Sequence, residues 1–163
     1  MTQTHETPTN GTIAGSSIEA RLRDLRATLD QGIADGVGVG SSLGILADVL
    51  EVGRTVWTLM PSKATANAML IVHGGVIATL MDTAMGSAVY TMLPDGALYT
   101  TLEFKVNFIR TLSLDADTVS CEARTVHVGR RTATAEARVT DPAGALVAHG
   151  SCTCMIFPPS TQA

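Results

Sequence analysis

Charged residues are scarce in this sequence. Asp, Glu, Lys and Arg make up only 16% of its 163 residues, whereas a soluble domain usually carries about 25%. So few charges indicate that another subunit covers part of the surface, and we expect an oligomer. The charges that are present give a net charge of −4 and a pI of about 5.4. Because no cluster of Lys or Arg interrupts this acidic balance, we expect no nucleic-acid partner.

Long hydrophobic runs are also missing. The longest unbroken apolar run is far shorter than the ~20 residues that span a membrane. The N-terminus lacks a basic segment followed by such a run, so we expect neither a membrane partner nor a signal peptide. The three cysteines, Cys121, Cys152 and Cys154, are an odd number without zinc-type spacing. We therefore expect a cytoplasmic protein with reduced thiols.

Motifs for common cofactors are absent as well. The sequence has no phosphate-binding loop, no dinucleotide-binding glycine motif, no serine nucleophile elbow and no cluster of metal ligands. We therefore expect no cofactor and no metal. What the sequence does contain is apolar material: 45% of the residues are hydrophobic, which is enough for a sizeable core in one domain.

The N-terminal part is predicted to be peripheral to that domain. Residues 1–15 are mostly polar and are predicted to form a disordered tail. A capping box with Ser16 as N-cap, followed by apolar residues at helical spacing, predicts an amphipathic helix that ends near Gly32. We assign 16–40 to this helix and a Gly/Ser-rich connector, and 41–158 to the folded domain.

The folded domain is predicted to be α+β. Alternating apolar and polar residues indicate strands, hairpin turns join most of them, and one helix is apolar almost all round, as a buried helix is. We predict strands at 45–50, 54–60, 101–108, 119–124, 133–139 and 146–157, and the buried helix at about 74–90. Such a composition favours an antiparallel sheet wrapped around a single central helix.

The buried helix carries one isolated carboxylate. Asp82 is the only formal charge between Lys63 and Asp95, and a carboxylate in so apolar a segment costs free energy unless it is paired or used. A catalytic role competes with that of a buried carboxylate satisfied by Thr or backbone donors. The few polar residues of the helix recur at steps of three and four and share one stripe: Thr79, Asp82, Thr83, Ser87 and Tyr90. We count Thr83 as a candidate substrate contact.

The start of this helix is a candidate oxyanion site. His73, Gly74 and Gly75 precede the apolar residues, and helix N-termini present unpaired N–H groups and a positive dipole end. Two glycines allow a ligand close to the backbone, although a plain loop-to-helix turn also needs small residues. Asp82 lies eight residues beyond Gly74, roughly 12 Å along the helix. The two can act on one bond only if two such helices run antiparallel across a two-fold axis.

Other candidates flank the helix. Asn67 can donate an amide hydrogen bond to a carbonyl, or it can simply cap a turn. Thr101 can orient a water molecule, or it can be an ordinary strand residue. Arg110, Arg130 and Arg131 lie at strand ends and can meet phosphates, although solvated arginines are the commoner case.

These residues resemble a known family. Asn67, then His73-Gly74-Gly75 after five residues, then Asp82 after six more, resembles the pattern of the hotdog-fold acyl-CoA thioesterases. The stretch from Thr101 to Arg110 fits as well, and the resemblance is to the phenylacetate-pathway (PaaI-like) branch. It covers about residues 40–157. One departure is Thr111, where the family's strand commonly continues with Pro.

The resemblance implies an architecture and a reaction. Two subunits pair their sheets into one, dimers often pair into tetramers, and the active site lies at the dimer interface. The N–H at Gly74, helped by Asn67, polarises the thioester carbonyl, and Asp82 of the other subunit is general base or nucleophile. Thr101 helps to place water, and basic residues lie near the CoA phosphates. The implied activity is hydrolysis of an aryl- or acyl-CoA.

Two alternatives remain open from the sequence. A hotdog enoyl-CoA hydratase or dehydratase uses a catalytic His in a different local setting; His73 is present, but the spacing to Asp82 fits hydrolysis better. A non-catalytic acyl-CoA-binding sensor is the other alternative. Relatives of that type carry a DNA-binding region, which a single N-terminal helix on an acidic chain does not match.

Overall fold

The structure, a computed structural model, describes residues 13–159, with side chains from Ile18 onward. Most of the tail predicted to be disordered, and the side chain of Ser16, therefore lie outside the described residues. The elements in chain order are α1 (Ile13–Ala34), α2 (Gly38–Leu43), β1 (Ile45–Glu51), β2 (Arg54–Leu59), α3 (Gly74–Tyr90), β3 (Leu98–Phe108), β4 (Val119–Val128), β5 (Thr132–Thr140) and β6 (Leu146–Phe157).

The N-terminal helix is longer at both ends than the sequence predicted. α1 already contains Ser16, so the predicted N-cap at that residue was wrong. The helix also passes through Gly32 and ends two residues later. Its end is closed by a Schellman motif, in which Val37 N–H donates to Gly32 C=O and Gly36 N–H donates to Ile33 C=O. Gly36 has a φ of 68°, which only glycine adopts without strain. The predicted connector contains the short helix α2.

One antiparallel sheet surrounds α3. The six strands lie in the order β1-β2-β4-β5-β6-β3, and each neighbouring pair is antiparallel. Leu80, Met81, Met85 and Val89 of α3 are fully buried against the inner face of the sheet. This confirms the predicted α+β hotdog architecture. Among the described residues, no helix is long and apolar enough to span a membrane.

Strand β3 forms one edge of the sheet and carries a bulge. Within the described part of the chain it pairs only with β6, and its register shifts between Thr101 and Glu103. Because one extra residue is inserted there, the side chains that face α3 are Tyr99 and Thr101 before the bulge and Phe108 after it. The bulge therefore lets residues from both ends of β3 face the same helix.

Helix α1 is fixed onto this domain by two arginines. Arg21 donates to the C=O of Tyr90 at 2.8 Å, and its guanidinium lies 4.8 Å from the centre of the Tyr90 ring. Arg26 donates to the C=O groups of Ala47 and Asp48 on β1. The helix therefore spans from the C-terminal end of α3 to the free edge strand β1.

Candidate active site

Asp82 is half-buried, and its carboxylate accepts a hydrogen bond from a side chain of strand β3. Thr101 Oγ1 donates a hydrogen bond of 2.9 Å to Asp82 Oδ1. Asp82 Oδ2 receives no hydrogen bond from residues 18–159, so this oxygen keeps its lone pairs for a water molecule or a substrate carbon. One oxygen fixes the direction of the carboxylate and the other remains available for chemistry. The isolated charge predicted from the sequence is thus satisfied only in part.

Thr101 owes its position to the bulge in β3. It is the last paired residue before the register shift, where it lies opposite Cys154 of β6. Its hydroxyl proton points at the carboxylate rather than at open space. Thr101 is therefore placed to orient Asp82, and a water molecule bound to Asp82 would be oriented through it.

The N-terminus of α3 leaves one N–H free. His73 is the N-cap, and its Nδ1 accepts a hydrogen bond of 2.8 Å from Gly75 N–H. Val76 N–H and Ile77 N–H both donate to His73 C=O. Gly74 N–H has no acceptor among the described residues, which matches the donor predicted for an oxyanion. The N–H of Gly75 is occupied by the cap, so this candidate substrate contact has no backbone donor to offer.

A side chain at residue 74 would be crowded. An added Cβ would lie 3.3 Å from the ring of Phe108, which faces the helix terminus from the far end of β3. The glycine thus allows the strand and the helix N-terminus to approach closely. Phe108 is itself 53% exposed, so the free N–H lies beside an accessible aromatic ring.

Asn67 caps a turn immediately before this helix. Its Oδ1 accepts from Met69 N–H at 2.9 Å and from Ile71 N–H at 3.3 Å. Leu70 in the same turn has a φ of 57°. The turn-capping role that the sequence left open is therefore present. The Asn67 side-chain NH₂ group has no acceptor among the described residues, so both of its N–H donors remain available to a ligand.

The two halves of the candidate site lie apart in one protomer. Gly74 lies beside Phe108, whereas Asp82 lies beside Thr101, seven residues away along β3. The helix alone separates Gly74 and Asp82 by about 12 Å. A single thioester cannot touch both within one chain.

The three candidate phosphate-binding arginines are also divided. Arg110 N–H donates to Val147 C=O near the start of β6, whereas Ile156 N–H at its other end donates to the C=O of Arg131. Arg110 therefore lies at one end of the sheet, and Arg130 and Arg131 lie at the other. All three side chains are exposed, and none forms an ion pair within residues 18–159.

Tyr99, which was not among the site residues predicted from the sequence, packs against α3 one helical turn from Asp82. A Cβ added to Gly86 would lie 2.6 Å from the Tyr99 hydroxyl oxygen. Burial raises the pKa of Tyr99, and the neighbouring Cys154 and the charge of Asp82 raise it further. The hydroxyl therefore stays protonated beside the carboxylate. The available signal was its position two residues before Thr101 on the same strand face.

Cys152 and Cys154 form the wall behind Thr101. Their sulfur atoms lie 3.8 Å apart, and both side chains are buried. The hydrogen bond that the Cys152 thiol shares with Cys154, together with burial, raises the pKa of Cys152. All three cysteines are free and buried, so no thiol is exposed as a nucleophile. Among the described residues, no three potential ligands cluster to hold a metal ion.

Comparison with known proteins identifies relatives of this chain in sequence and in structure. The chain is 39% identical over 125 residues to a Halobacterium salinarum protein named "Putative esterase", covering 74% of this chain and 81% of that protein. The PaaI protein of the E. coli phenylacetic acid degradation operon has a TM-score of 0.72 at 19% identity, covering 85% of this chain and 97% of PaaI, which shows a shared fold. A Streptococcus mutans protein solved with acetyl-CoA bound has a TM-score of 0.65 at 25% identity, covering 72% and 91%.

The match to a family model identifies the family. The model of the thioesterase superfamily matches residues 69–148, which include both the N-terminus of α3 and Asp82. This confirms the resemblance noted in the sequence. The chain belongs to the thioesterase superfamily and is a hydrolase that acts on thioesters.

Proposed function

We propose that this protein hydrolyses the thioester of an aryl- or acyl-CoA to the free acid and CoA, at sites shared by two subunits. The observation that carries the proposal is the pair of unsatisfied groups on α3. Gly74 N–H lacks an acceptor and Asp82 Oδ2 lacks a donor among the described residues. The N–H group can stabilise an oxyanion, and the carboxylate oxygen can act as a base or a nucleophile. Within one chain the two groups lie too far apart to act on the same carbonyl.

Strand β3 supplies a way to bring them together. It is an edge strand with several exposed apolar side chains: Leu98, Leu102, Phe104 and Phe108. Such an edge is a template for pairing with another chain. If two copies pair antiparallel with Thr101 opposite Phe108, the two-fold axis passes between Phe104 and Lys105. Asp82 beside Thr101 then faces the partner's Gly74 beside the partner's Phe108, and the same arrangement forms a second time.

The chemistry follows from these two groups. The thioester oxygen accepts a hydrogen bond from Gly74 N–H at the positive end of the helix dipole, which stabilises the negative charge that develops there. Asp82 takes a proton from water as the water oxygen adds to the carbonyl carbon. The C–S bond then breaks, and the CoA sulfur leaves as thiolate and takes up a proton. Direct attack by Asp82 would instead form an anhydride, which water opens.

The same pairing would group the basic residues. In the proposed register, the partner's Arg110 lies at the end of β3 that carries Tyr99, and Arg130 and Arg131 of the first subunit lie at that same end. Three cationic side chains from two subunits would then be available to CoA phosphates. The acetyl-CoA bound to the Streptococcus mutans protein is consistent with such a ligand. We further propose a cytoplasmic dimer that pairs again into a tetramer.

The test is loss of activity on removal of the carboxylate. Asp82→Asn should lower kcat by about 10²–10⁴-fold, the usual contribution of a general base, as measured by thiol release from a panel of aryl- and fatty-acyl-CoAs. Asp117→Asn, on an exposed loop residue, is the matched control. Near-normal turnover by Asp82→Asn, with fold and oligomeric state unchanged, would sink the proposal. Oxygen-18 transfer into the enzyme in a single turnover would distinguish nucleophile from base.

Mixing two inactive variants tests the shared site. Gly74→Pro removes the donor and Asp82→Asn removes the carboxylate, so a dimer with one copy of each variant contains one intact site and one doubly damaged site. Unfolding and refolding the two variants together should restore activity that neither shows alone. No recovery despite formation of mixed dimers would place both groups within one chain.

A further inference from the structure

Tyr99 of β3 approaches the helix α3 at a glycine. A Cβ added to Gly86 would lie 2.6 Å from the Tyr99 hydroxyl oxygen and 3.0 Å from the ring carbon that bears this oxygen. Gly86 lies inside α3, where a glycine costs about 1 kcal/mol of stability relative to alanine. The glycine therefore weakens the helix but allows the phenol end of Tyr99 to lie against the helix backbone.

The Tyr99 hydroxyl is unpaired and can be reached from outside. It makes no hydrogen bond with residues 18–159. The side-chain atoms of these residues that are sealed from solvent without a partner are Arg54 Nε, Trp57 Nε1 and Thr125 Oγ1. Because the Tyr99 hydroxyl is not one of them, it keeps a surface that another molecule can contact. A phenylalanine would fill the same space against Gly86, so packing alone does not account for the hydroxyl.

The hydroxyl lies one helical turn from the carboxylate of Asp82. Gly86 follows Asp82 by four residues, which is about 6 Å along α3. Tyr99 precedes Thr101, which donates to Asp82, by two residues on the same face of β3. Burial raises the pKa of Tyr99, and the charge of Asp82 contributes to the increase, so the hydroxyl remains a donor at neutral pH. No hydrogen bond joins the two side chains, but one bound substrate can contact both.

The same direction leads on to two of the arginines proposed to bind CoA phosphates. Tyr99 pairs with Ile156 of β6, and Ile156 N–H donates to Arg131 C=O at 2.8 Å. Neighbouring strands lie about 4.8 Å apart, so the backbone of Arg131 lies roughly 10 Å from that of Tyr99. The order Asp82, Tyr99, Arg131 matches the order of thioester, connecting arm and phosphates in an acyl-CoA.

The arm of CoA has an acceptor at a suitable distance from its sulfur. An ethylene link joins the sulfur to an amide nitrogen, and the amide C=O follows directly, so the oxygen lies roughly 5–6 Å from the sulfur. An amide oxygen that leaves water needs a new hydrogen-bond donor. With the thioester at Asp82, this oxygen would reach the turn of α3 that contains Gly86, where the Tyr99 hydroxyl is available.

We propose that Tyr99 donates a hydrogen bond to the amide oxygen nearest the sulfur in the CoA arm and thereby positions the thioester at Asp82. The inference rests on the proposed thioesterase function and assigns the part of the substrate that Tyr99 recognises. In this role Tyr99 binds the substrate and transfers no proton. Thioesters of any carrier with the same amide are recognised in this way, whereas simple alkyl thioesters are not.

Two truncated thioesters of the preferred acyl group test the hydrogen bond. The N-acetylcysteamine thioester keeps the amide, whereas the pentanethiol thioester has a chain of similar length without it. Tyr99→Phe should lower kcat/KM for the first by roughly three- to tenfold, as loss of one neutral hydrogen bond does, and should leave kcat/KM for the second unchanged. Equal losses for both thioesters would indicate a packing role and overturn the inference, as would no loss for either.

Tyr90 offers a matched control. Its ring centre lies 6.1 Å from that of Tyr99, and the guanidinium of Arg21 covers the ring. Tyr90→Phe removes the same atom from a neighbouring ring, so the ratio of the two kcat/KM values should stay as in the unmodified protein. A change in this ratio as large as that in Tyr99→Phe would overturn the assignment to Tyr99.

Binding can also be measured without hydrolysis. S-Ethyl-CoA is a thioether that keeps the amide and cannot be hydrolysed. In calorimetric titrations, Tyr99→Phe should bind it roughly three- to tenfold more weakly than the unmodified protein. Equal affinity in the two proteins would overturn the inference. Weaker binding by Tyr99→Phe, when the unmodified protein hydrolyses no thioester, would overturn the proposed function and leave the contact with the CoA arm standing.

Discussion

The two halves of the candidate site are built in opposite ways. At the N-terminus of α3, Gly74 offers a backbone N–H, and the surrounding hydrogen bonds join residues close in sequence, such as His73 to Gly75. At the middle of α3, Asp82 offers a side chain, and its hydrogen bond comes from Thr101 on another element. The first half depends on local chain geometry, and the second depends on how a helix docks against a strand. The two should therefore respond differently to mutation.

After loss of the Asp82 carboxylate itself, the largest effect is expected from removing the backbone donor. Gly74 is the first residue of α3, where Pro fits well, and the preceding His73 has a ψ of 134°, which a following Pro favours. Gly74→Pro should keep the helix but lower kcat by about 10²–10³-fold, as loss of one oxyanion donor does. Thiol release from the preferred acyl-CoA is the measurement.

Gly74→Ala is the control for crowding. It adds a Cβ against Phe108 but keeps the N–H, so its kcat should fall much less than that of Gly74→Pro. Equal losses in the two variants would mean that space at this position, rather than the donor, is what matters.

A smaller effect is expected from removing the hydrogen bond that orients the Asp82 carboxylate. Thr101→Val keeps the shape of the side chain and removes a hydrogen bond to a charged group, which is worth about 1.5–3 kcal/mol. Activity should fall by roughly 10–100-fold, with little change in KM, because Asp82 is no longer fixed in direction. Thr101→Ser should restore most of the rate. A Thr101→Val variant with unchanged kcat would show that the site at Asp82 does not depend on its neighbouring strand.

Alkaline pH should lower the stability of the folded protein through Tyr99, which packs beside Asp82. The pKa of Tyr99 is raised in the folded protein, so above pH ~10 the unfolded chain loses this proton while the folded protein retains it. The free energy of unfolding should therefore fall as pH rises above about 10, by up to ~1.4 kcal/mol per pH unit. Urea unfolding of Tyr99→Phe across this range should show a shallower decline, and an identical slope would contradict the prediction.

The smallest effect is expected at the helix cap. His73→Ala removes the acceptor for Gly75 N–H and should cost about 1 kcal/mol of stability, whereas His73→Asn keeps an acceptor and should cost less. Thermal unfolding measures both. Turnover should change little in His73→Asn, since the imidazole nitrogen that faces Gly75 is already engaged. A large loss of kcat in His73→Asn would instead support a catalytic role for this histidine, as in the hydratase alternative.

The same contrast explains what could be predicted from the sequence. The helix at 74–90 was predicted with its observed bounds, because capping and apolar content are local signals. Strand β3 was predicted only from 101 onward, although it begins at Leu98. Its alternation changes phase at the bulge, so Tyr99 and Thr101 fall out of step with the later residues. The hydrogen bond between Thr101 and Asp82 depends on that register and could not be derived.

The docking of α1 was beyond sequence reasoning for a related reason. The amphipathic pattern predicted that this helix lies on a surface, but Arg21 and Arg26 determine which one. Their partners are backbone C=O groups, which carry no sequence signal.

The bulge in β3 makes the count of residues as important as their identity. Thr101 and Phe108 are separated by an odd number of steps, and in a regular strand they would lie on opposite faces of the sheet. The inserted residue brings them to one face, where each supports half of a site. A regular strand of the same length would leave every proposed catalytic group in the sequence and yet turn Thr101 away from Asp82. Deletion of Leu102 would instead place Thr101 and Phe108 six steps apart, an even number that keeps both on one face, so relatives shorter by one residue here should keep the two-chain site without a bulge.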